Sequence, residues 1–336
     1  VRPATTALAL CLSACSLVIS LPGAQTRNES AAKPNILLIV ADDLGYADVG
    51  FNGAKTIKTP NIDRLAAAGI KLSDFRACPM CSPTRAGLLT GRWPLRFGMM
   101  RAVVPPWSTN GMPASENTLP ELLAPAGYEQ RAAIGKWHLG HATRDMLPLS
   151  QGFTSFYGHY NGAIDYFDHT REGETDWHRN WQTAKEEGYS TDLLAAEAER
   201  FINRAPEGKP WLLYLAFNAP HSPYEAKQED LKRYPELKMP DRRKYAAMVD
   251  CMDQGIGRVL TAVDKRADAT NTFVLFMSDN GGLLRVGSNG PWRGAKLTVY
   301  EGGTRVCAAI RWLAGGLAGG GTFDGRIGYI DVLPTL

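Results

Sequence analysis

Asp42 with Asp43, and Asp279 with Asn280, form two adjacent pairs of oxygen donors that have no His or Cys beside them. Hard oxygen ligands of this kind suit Ca2+ or Mg2+ better than zinc. Either pair alone also reads as a strand-end turn. Cys81 stands immediately before Ser82-Pro83, a cap and first helical position for a helix running through Leu89 to a stop at Gly91. A group at that point faces free backbone N–H donors and the positive helix end, which bind anions and favour a charged nucleophile. Arg85 lies one turn on and could fork onto an oxyanion. Cys78 and Cys81 could instead form a redox pair or half a zinc site, but no second cysteine pair completes four ligands. On spacing alone a structural cysteine is the simpler reading.

Lys136 and His138 flank Trp137, and at a strand end they would point to one face, where a cation and a general acid suit an anionic leaving group. The competing reading is a solvated edge with Trp137 in the core. His221 reads as an acid or an anion ligand, and Lys296, taken alone, as a solvated lysine.

These residues need elements to position them. Ile36 to Val40, Trp211 to Phe217 and Thr272 to Met277 are apolar runs without clean alternation, as expected of strands buried on both faces. Helices are expected over Asn61 to Ala68, after Thr59-Pro60 and before Gly69, and over about Arg242 to Asp264, where apolar residues recur at helical spacing. The alternation predicts an α/β fold: a mostly parallel central sheet with helices on both faces. Each run is followed at once by polar residues, namely Asp42-Asp43, Asn218 and His221, and Asp279-Asn280. Ligands of open α/β sheets bind outside the carboxyl ends of the strands, so three strand ends point at one site. Tyr157 to Trp181 lacks periodicity and is dense in aromatic, His and charged residues, so it reads as a long excursion over the sheet edge and a candidate substrate-recognition loop. Leu317 to Gly325 reads as a glycine-rich surface connection, and Ile330 to Leu336 as the start of a helix.

With 336 residues and 44% hydrophobic content the chain can bury a full core. Its 37 basic and 34 acidic residues leave a net charge of +3 without long single-sign runs, so no footprint for nucleic acid is present. Residues 1–24 carry Arg2, an apolar stretch from Ala7 to Leu21 and Pro22-Gly23-Ala24, which reads as an export signal cleaved near Ala24. Leu12-Ser13-Ala14-Cys15 resembles a lipoprotein box, although the apolar run continues past Cys15. Cleavage would leave Cys78, Cys81, Cys251 and Cys307, too few for a disulfide scaffold.

Together the segments resemble the type I sulfatases, the arylsulfatase family related in fold to alkaline phosphatase. Pro34-Asn35-Ile36 through Ala41-Asp42-Asp43-Leu44-Gly45-Tyr46 is similar to the family's opening strand and metal pair. Cys81-Ser82-Pro83-Thr84-Arg85, continuing to Leu88-Leu89-Thr90-Gly91-Arg92, resembles its Cys-x-Pro-x-Arg signature. Gly135-Lys136-Trp137-His138-Leu139-Gly140 resembles a second signature, and Ser278-Asp279-Asn280-Gly281-Gly282 and Glu301-Gly302-Gly303 later ones. The resemblance covers residues 34–336 as a catalytic domain.

The resemblance implies that a maturation enzyme oxidises Cys81 to formylglycine, whose hydrated gem-diol is the nucleophile. It implies that Asp42, Asp43, Asp279, Asn280 and modified Cys81 hold Ca2+, although the ligand types also permit Mg2+. Arg85 would orient the formylglycine, Lys136, His221 and Lys296 would grip the sulfate, and His138 would assist breakdown of the enzyme-sulfate intermediate. It also implies a smaller C-terminal subdomain, before which this chain stops. The expected activity is hydrolysis of sulfate monoesters, on sulfated carbohydrates or aryl sulfates. Tyr160, Tyr166, Trp177 and Trp181 are the candidate sugar contacts. Two alternatives stay open: phosphate or phosphonate ester hydrolysis on the same fold, and a non-catalytic anion- or glycan-binding homologue.

Overall fold

The computed structural model describes residues 32–100 and 102–336. The expected export signal and Cys15 lie outside the described residues. Six strands form the body of the sheet: β1 (Asn35–Ala41), β2 (Gln130–Lys136), β3 (Ser155–His159), β4 (Trp211–Ala216), β5 (Thr272–Ser278) and β6 (Ala308–Arg311). Their spatial order is β6-β5-β1-β4-β2-β3, and the five strands from β5 to β3 run parallel. β6 turns antiparallel to β5, and the sheet reaches ten strands through short edge strands on both sides. The fold is therefore mixed α/β, with the expected parallel core, and the margins are mostly antiparallel.

Each central strand is buried along its whole length, which explains the unbroken apolar runs. Alternate side chains divide between two cores. Leu37, Ile39, Leu213, Leu215, Val274 and Phe276 pack with helices α1 (Pro60–Ala68), α3 (Ser190–Arg204) and α4 (Pro240–Asp264). Ile36, Leu38, Val40, Leu212, Tyr214 and Leu275 pack with Ala86, Leu88 and Leu89 of α2 (Cys81–Thr90). Each fully buried Leu, Ile, Val or Phe contributes about 1.5–3 kcal/mol relative to exposure, so the two layers fix the strand register that the site depends on. α1 ends at Gly69, and α2 ends at Gly91 in the left-handed region (φ 63°), both as the punctuation predicts. α2 starts at Cys81 with Met80 as its cap, two residues ahead of the expected first helical position Pro83 and cap Ser82.

Two stretches depart from expectation. Residues 157–181 carry short strands: the end of β3, the pair Thr170–Arg171 with Glu174–Thr175, and His178–Arg179, which pairs with β3 and with Gln182–Thr183 just beyond the stretch. The glycine-rich stretch near the C-terminal end contains an exposed strand, Gly321–Phe323, pairing with Ile70–Leu72. Strands of two or three residues are too short for a periodic signal. Among the described residues, no helix is long and apolar enough to cross a membrane.

Candidate active site

Backbone pairing continues one step beyond the strands: the Asp42 N–H donates to Ala219 O and the Asp279 N–H to Ala41 O, both at 3.0 Å. Parallel register thus delivers Asp42 and Asp279 side by side at the carboxyl edge. Asp43 follows with φ 63°, a left-handed conformation uncommon for a residue with a Cβ, and its N–H donates to Asp279 Oδ1 at 3.2 Å. His138 (φ 59°) and Leu297 (φ 71°) share this conformation around the same site. Strain of this kind persists only where the surroundings over-determine it.

Asp42, Asp43 and Asp279 are buried, and three buried or nearly buried cations meet them. Arg85 donates through Nε and Nη2 to Asp279 Oδ2 at 3.0 and 2.8 Å, and through Nη1 to Lys136 O at 3.1 Å. Lys136 Nζ bonds Asp42 Oδ2, and Lys296 Nζ lies 2.7 Å from Asp43 Oδ1. Burial alone would raise the Asp42 carboxyl, but Lys136, His221 and Arg85 hold it well below the usual carboxylate range. Burial and the Asp42 charge push Asp279 up to about 6 against the pull of Arg85. Lys296 is not the solvated lysine its local sequence indicates. Although burial opposes its charge, the surrounding Cys81, Asp43 and Asp42 raise its pKa.

Cys81 Sγ lies 3.5 Å from Asp42 Oδ1, and Cys78 points away toward the Tyr329 hydroxyl at 2.9 Å, so the two cysteines are not a pair. All four described cysteines are free. Burial, reinforced by Asp279 and Asp42, pushes the Cys81 thiol well above its ordinary range despite Lys136 and Lys296. Burial thus works against the charged nucleophile that the helix end favours.

His138 does not continue β2 but sits beyond it, where its Nε2 lies 3.0 Å from the Val104 carbonyl. A carbonyl only accepts, so Nε2 carries the proton and Nδ1, buried without a partner, keeps its lone pair. Burial holds the ring well below the usual histidine range, and Lys136 adds to this. His221 Nδ1 donates to Ser222 O at 2.6 Å and turns Nε2 toward Asp43 Oδ2 at 3.6 Å. The loop carrying His221 is tied down by Tyr166, whose hydroxyl lies 2.6 Å from Asn218 O and 2.8 Å from His221 O.

The donor set fits a hard divalent cation. Ligand atoms of Asp42, Asp43, Cys81 and His221 lie within 4.8 Å of one another. Asn280 donates through Nδ2 to Asp43 Oδ1 at 2.7 Å, while its buried Oδ1 has no partner, an acceptor facing no donor. Here the lysines supply the positive charge that the Asp42 and Asp43 oxygens require. Asp279 stands outside the four-residue group; its Oδ2 accepts from Arg85 and its Oδ1 from the Asp43 N–H.

Above this cluster opens a cavity of about 740 Å3 lined by Cys81, His138, His221 and Lys296, with Trp107 and Arg171 among the other lining residues. The expected sugar contacts do not line it. Tyr166 and Trp177 are fully buried, Tyr160 stacks on His178 at 4.1 Å, and Trp181 lies under Arg144 at 4.1 Å. Aromatic density in the 157–181 stretch reflects packing. The aromatic that does reach the cavity, Trp107, follows Pro105-Pro106 in a loop with no periodic signal to single it out.

The chain is 37% identical to human (Homo sapiens) N-acetylgalactosamine-6-sulfatase over 83% of its length and 57% of that protein's. It is 35% identical to arylsulfatase J of Mus musculus over 83% of its length and 48% of that protein's. It thus spans about half the length of these curated relatives. Among solved structures it matches Ps i-CgsB in complex with k-i-k-neocarrahexaose at 40% identity and TM-score 0.85, covering 90% of this chain and 71% of that one. The PsFucS1 sulfatase from Pseudoalteromonas sp. matches at 28% identity and TM-score 0.76, covering 90% and 66%. The family profile described as Sulfatase matches residues 34–336, which contain every element and site residue described above. With that match, those relatives and the shared architecture, the chain belongs to the sulfatase family.

Proposed function

We propose that this chain hydrolyses sulfate monoesters carried on saccharides, with Cys81 matured to formylglycine and Ca2+ held by Asp42, Asp43, Asp279, Asn280 and the matured residue 81. The observation that carries this reading is the position of Cys81, which starts α2 and lines the cavity directly beside a buried cluster of carboxylates and cations. When formed, hydrated formylglycine supplies a hydroxyl nucleophile together with a second hydroxyl that allows the carbonyl to be regenerated. When bound, a divalent cation supplies positive charge for the oxygens of the sulfate.

The chain's own residues do the rest. The free N–H groups at the start of α2 favour an anion beside residue 81. Lys136 and Lys296 converge on the same spot and bind sulfate oxygens, stabilising charge by groups already in place, and His221 joins them once Nε2 is protonated. Arg85 does not reach for substrate: it orients Asp279 and the Lys136 carbonyl and so fixes the floor. His138 holds one proton at Nε2 against Val104 O and offers Nδ1 as the atom that takes another.

The saccharide preference is supported by the size of the cavity, which falls within the roughly 300–1,000 Å3 of whole small-molecule sites. It is also supported by N-acetylgalactosamine-6-sulfatase and the neocarrahexaose complex among the relatives. The apolar leader supports export, and maturation requires a partner enzyme that oxidises Cys81. Turnover of matched 4-nitrophenyl sulfate and phosphate by matured protein tests the reading. Faster sulfate turnover is expected. Faster phosphate turnover makes the chain a phosphate ester hydrolase, and turnover of neither makes it a binding homologue.

A further inference from the structure

Resting on the reading of the site as a saccharide sulfatase, we infer that Trp107 is the platform on which the sugar ring bearing the scissile sulfate, or its neighbour, stacks. Trp107 is 79% exposed, among the most exposed large apolar side chains in the described structure, yet it lines the same cavity as Cys81, His138 and Lys296. An indole left in water beside a reaction centre has lost its hydrophobic stabilisation, and a ligand face restores it. Hexose rings present an apolar C–H face to an aromatic plane while their hydroxyls stay available for hydrogen bonds.

The loop carrying Trp107 is built into the site. Ser82 Oγ accepts from the Val104 N–H at 3.1 Å, His138 Nε2 donates to Val104 O at 3.0 Å, and His141 Nε2 lies 2.9 Å from Pro106 O. Pro105 and Pro106 restrict the backbone immediately before the indole. The loop is thereby fastened to α2 and to the residues after β2, while its aromatic tip is left free. A merely unpacked tryptophan needs no such fastening; a platform that must hold a fixed height above residue 81 does.

On another part of the lining stands the hairpin formed by Thr170–Arg171 and Glu174–Thr175, which contributes Thr170, Arg171 and Glu172. Arg171 is about one-third exposed on this lining, with its Nε 3.3 Å from the Glu172 carboxylate. It provides a donor for a ring hydroxyl or a second acidic substituent. The substrate class that fits a stacking indole, a spare guanidinium donor and an anion site together is an acidic oligosaccharide, not a compact aryl ester.

The test uses matured protein and two probes, 4-nitrophenyl sulfate and k-i-k-neocarrahexaose, with 6-sulfated N-acetylgalactosamine in parallel. For Trp107→Ala, the ratio of kcat/KM on a saccharide to that on the aryl ester is expected to fall about tenfold, the loss of a stacked aromatic anchor. The change is expected in KM more than in kcat, and Trp107→Phe is expected to restore most of it. A ratio that does not move, or a parent protein that cleaves the aryl ester but none of the saccharides, overturns the platform while leaving sulfate hydrolysis intact. A parent protein inert toward all probes overturns the reading of the site itself.

Discussion

A single methyl group at residue 162 isolates the role of the His138 orientation. Gly162 has no left-handed backbone to protect, yet an added Cβ would sit 2.5 Å from both Cε1 and Nε2 of the His138 ring. Ordinary contact begins near 3.5 Å, so the imidazole must retreat by about 1 Å. It is not free to do so, because φ of 59° and the Val104 bond at 3.0 Å hold it from both ends. A retreat of that size along the bond stretches it to about 4 Å, beyond hydrogen-bonding range, and releases the tautomer that leaves Nδ1 basic. Overpacking costs about 1–3 kcal/mol of stability, and a misplacement of this size costs on the order of 100-fold in rate. For Gly162→Ala, kcat on 4-nitrophenyl sulfate is expected to fall by about that factor, with KM nearly unchanged and thermal unfolding still cooperative. A variant that unfolds like the parent and turns over at the parental rate would refute the claim that the His138 ring position is critical.

Other perturbations address the supports of the site. Arg85→Met leaves Asp279 buried beside Asp42 without its guanidinium partner and is expected to cost about 3–5 kcal/mol in denaturant unfolding, with Arg85→Lys recovering part; a fully stable Met variant contradicts the clamp. Added Ca2+ is expected to raise the melting temperature and a chelator to lower it, by several kcal/mol of linkage at saturating ion, and Asp43→Asn is expected to abolish the response. His159 is fully buried and burial lowers its pKa to about 3 from 6.5, so stability is present above the unfolded value and is lost as pH falls from 6.5 toward 3. His159→Gln is expected to flatten unfolding free energy over that window by up to about 5 kcal/mol; an unchanged slope assigns the acid sensitivity elsewhere.

The carboxylates were legible because they follow strands whose whole sequence is apolar: once Ile36 to Val40 and Thr272 to Met277 read as buried parallel strands, Asp42 and Asp279 fell at one carboxyl edge, where the strand order then makes them neighbours. The α2 signals placed Cys81 and Arg85 on one turn for the same local reason. Contacts set by long-range packing were not legible. Nothing in sequence links Val104 to His138 or Gly162 to the same ring, since those distances arise from loops crossing the sheet edge. Lys296 and Trp107 read wrongly or not at all because solvation depends on tertiary position: a lysine in a glycine-rich loop is enclosed, and a tryptophan beside two prolines is left in water. Tyr166 failed in the opposite direction, as a sugar contact that instead pins the His221 loop through its hydroxyl.

If residue 81 works as an aldehyde hydrate, one peptide reports it. Trypsin releases Ala77–Arg85, which contains Cys81 and, as an internal control, Cys78. From protein produced with a competent maturation enzyme, this peptide is expected to be lighter than its gene-encoded mass by about 18 Da, where the thiol oxidation ladder would add oxygen instead. It should take up one alkyl group, on Cys78. A peptide of unshifted mass that is alkylated at both cysteines, from protein that nevertheless hydrolyses sulfate esters, would contradict the account.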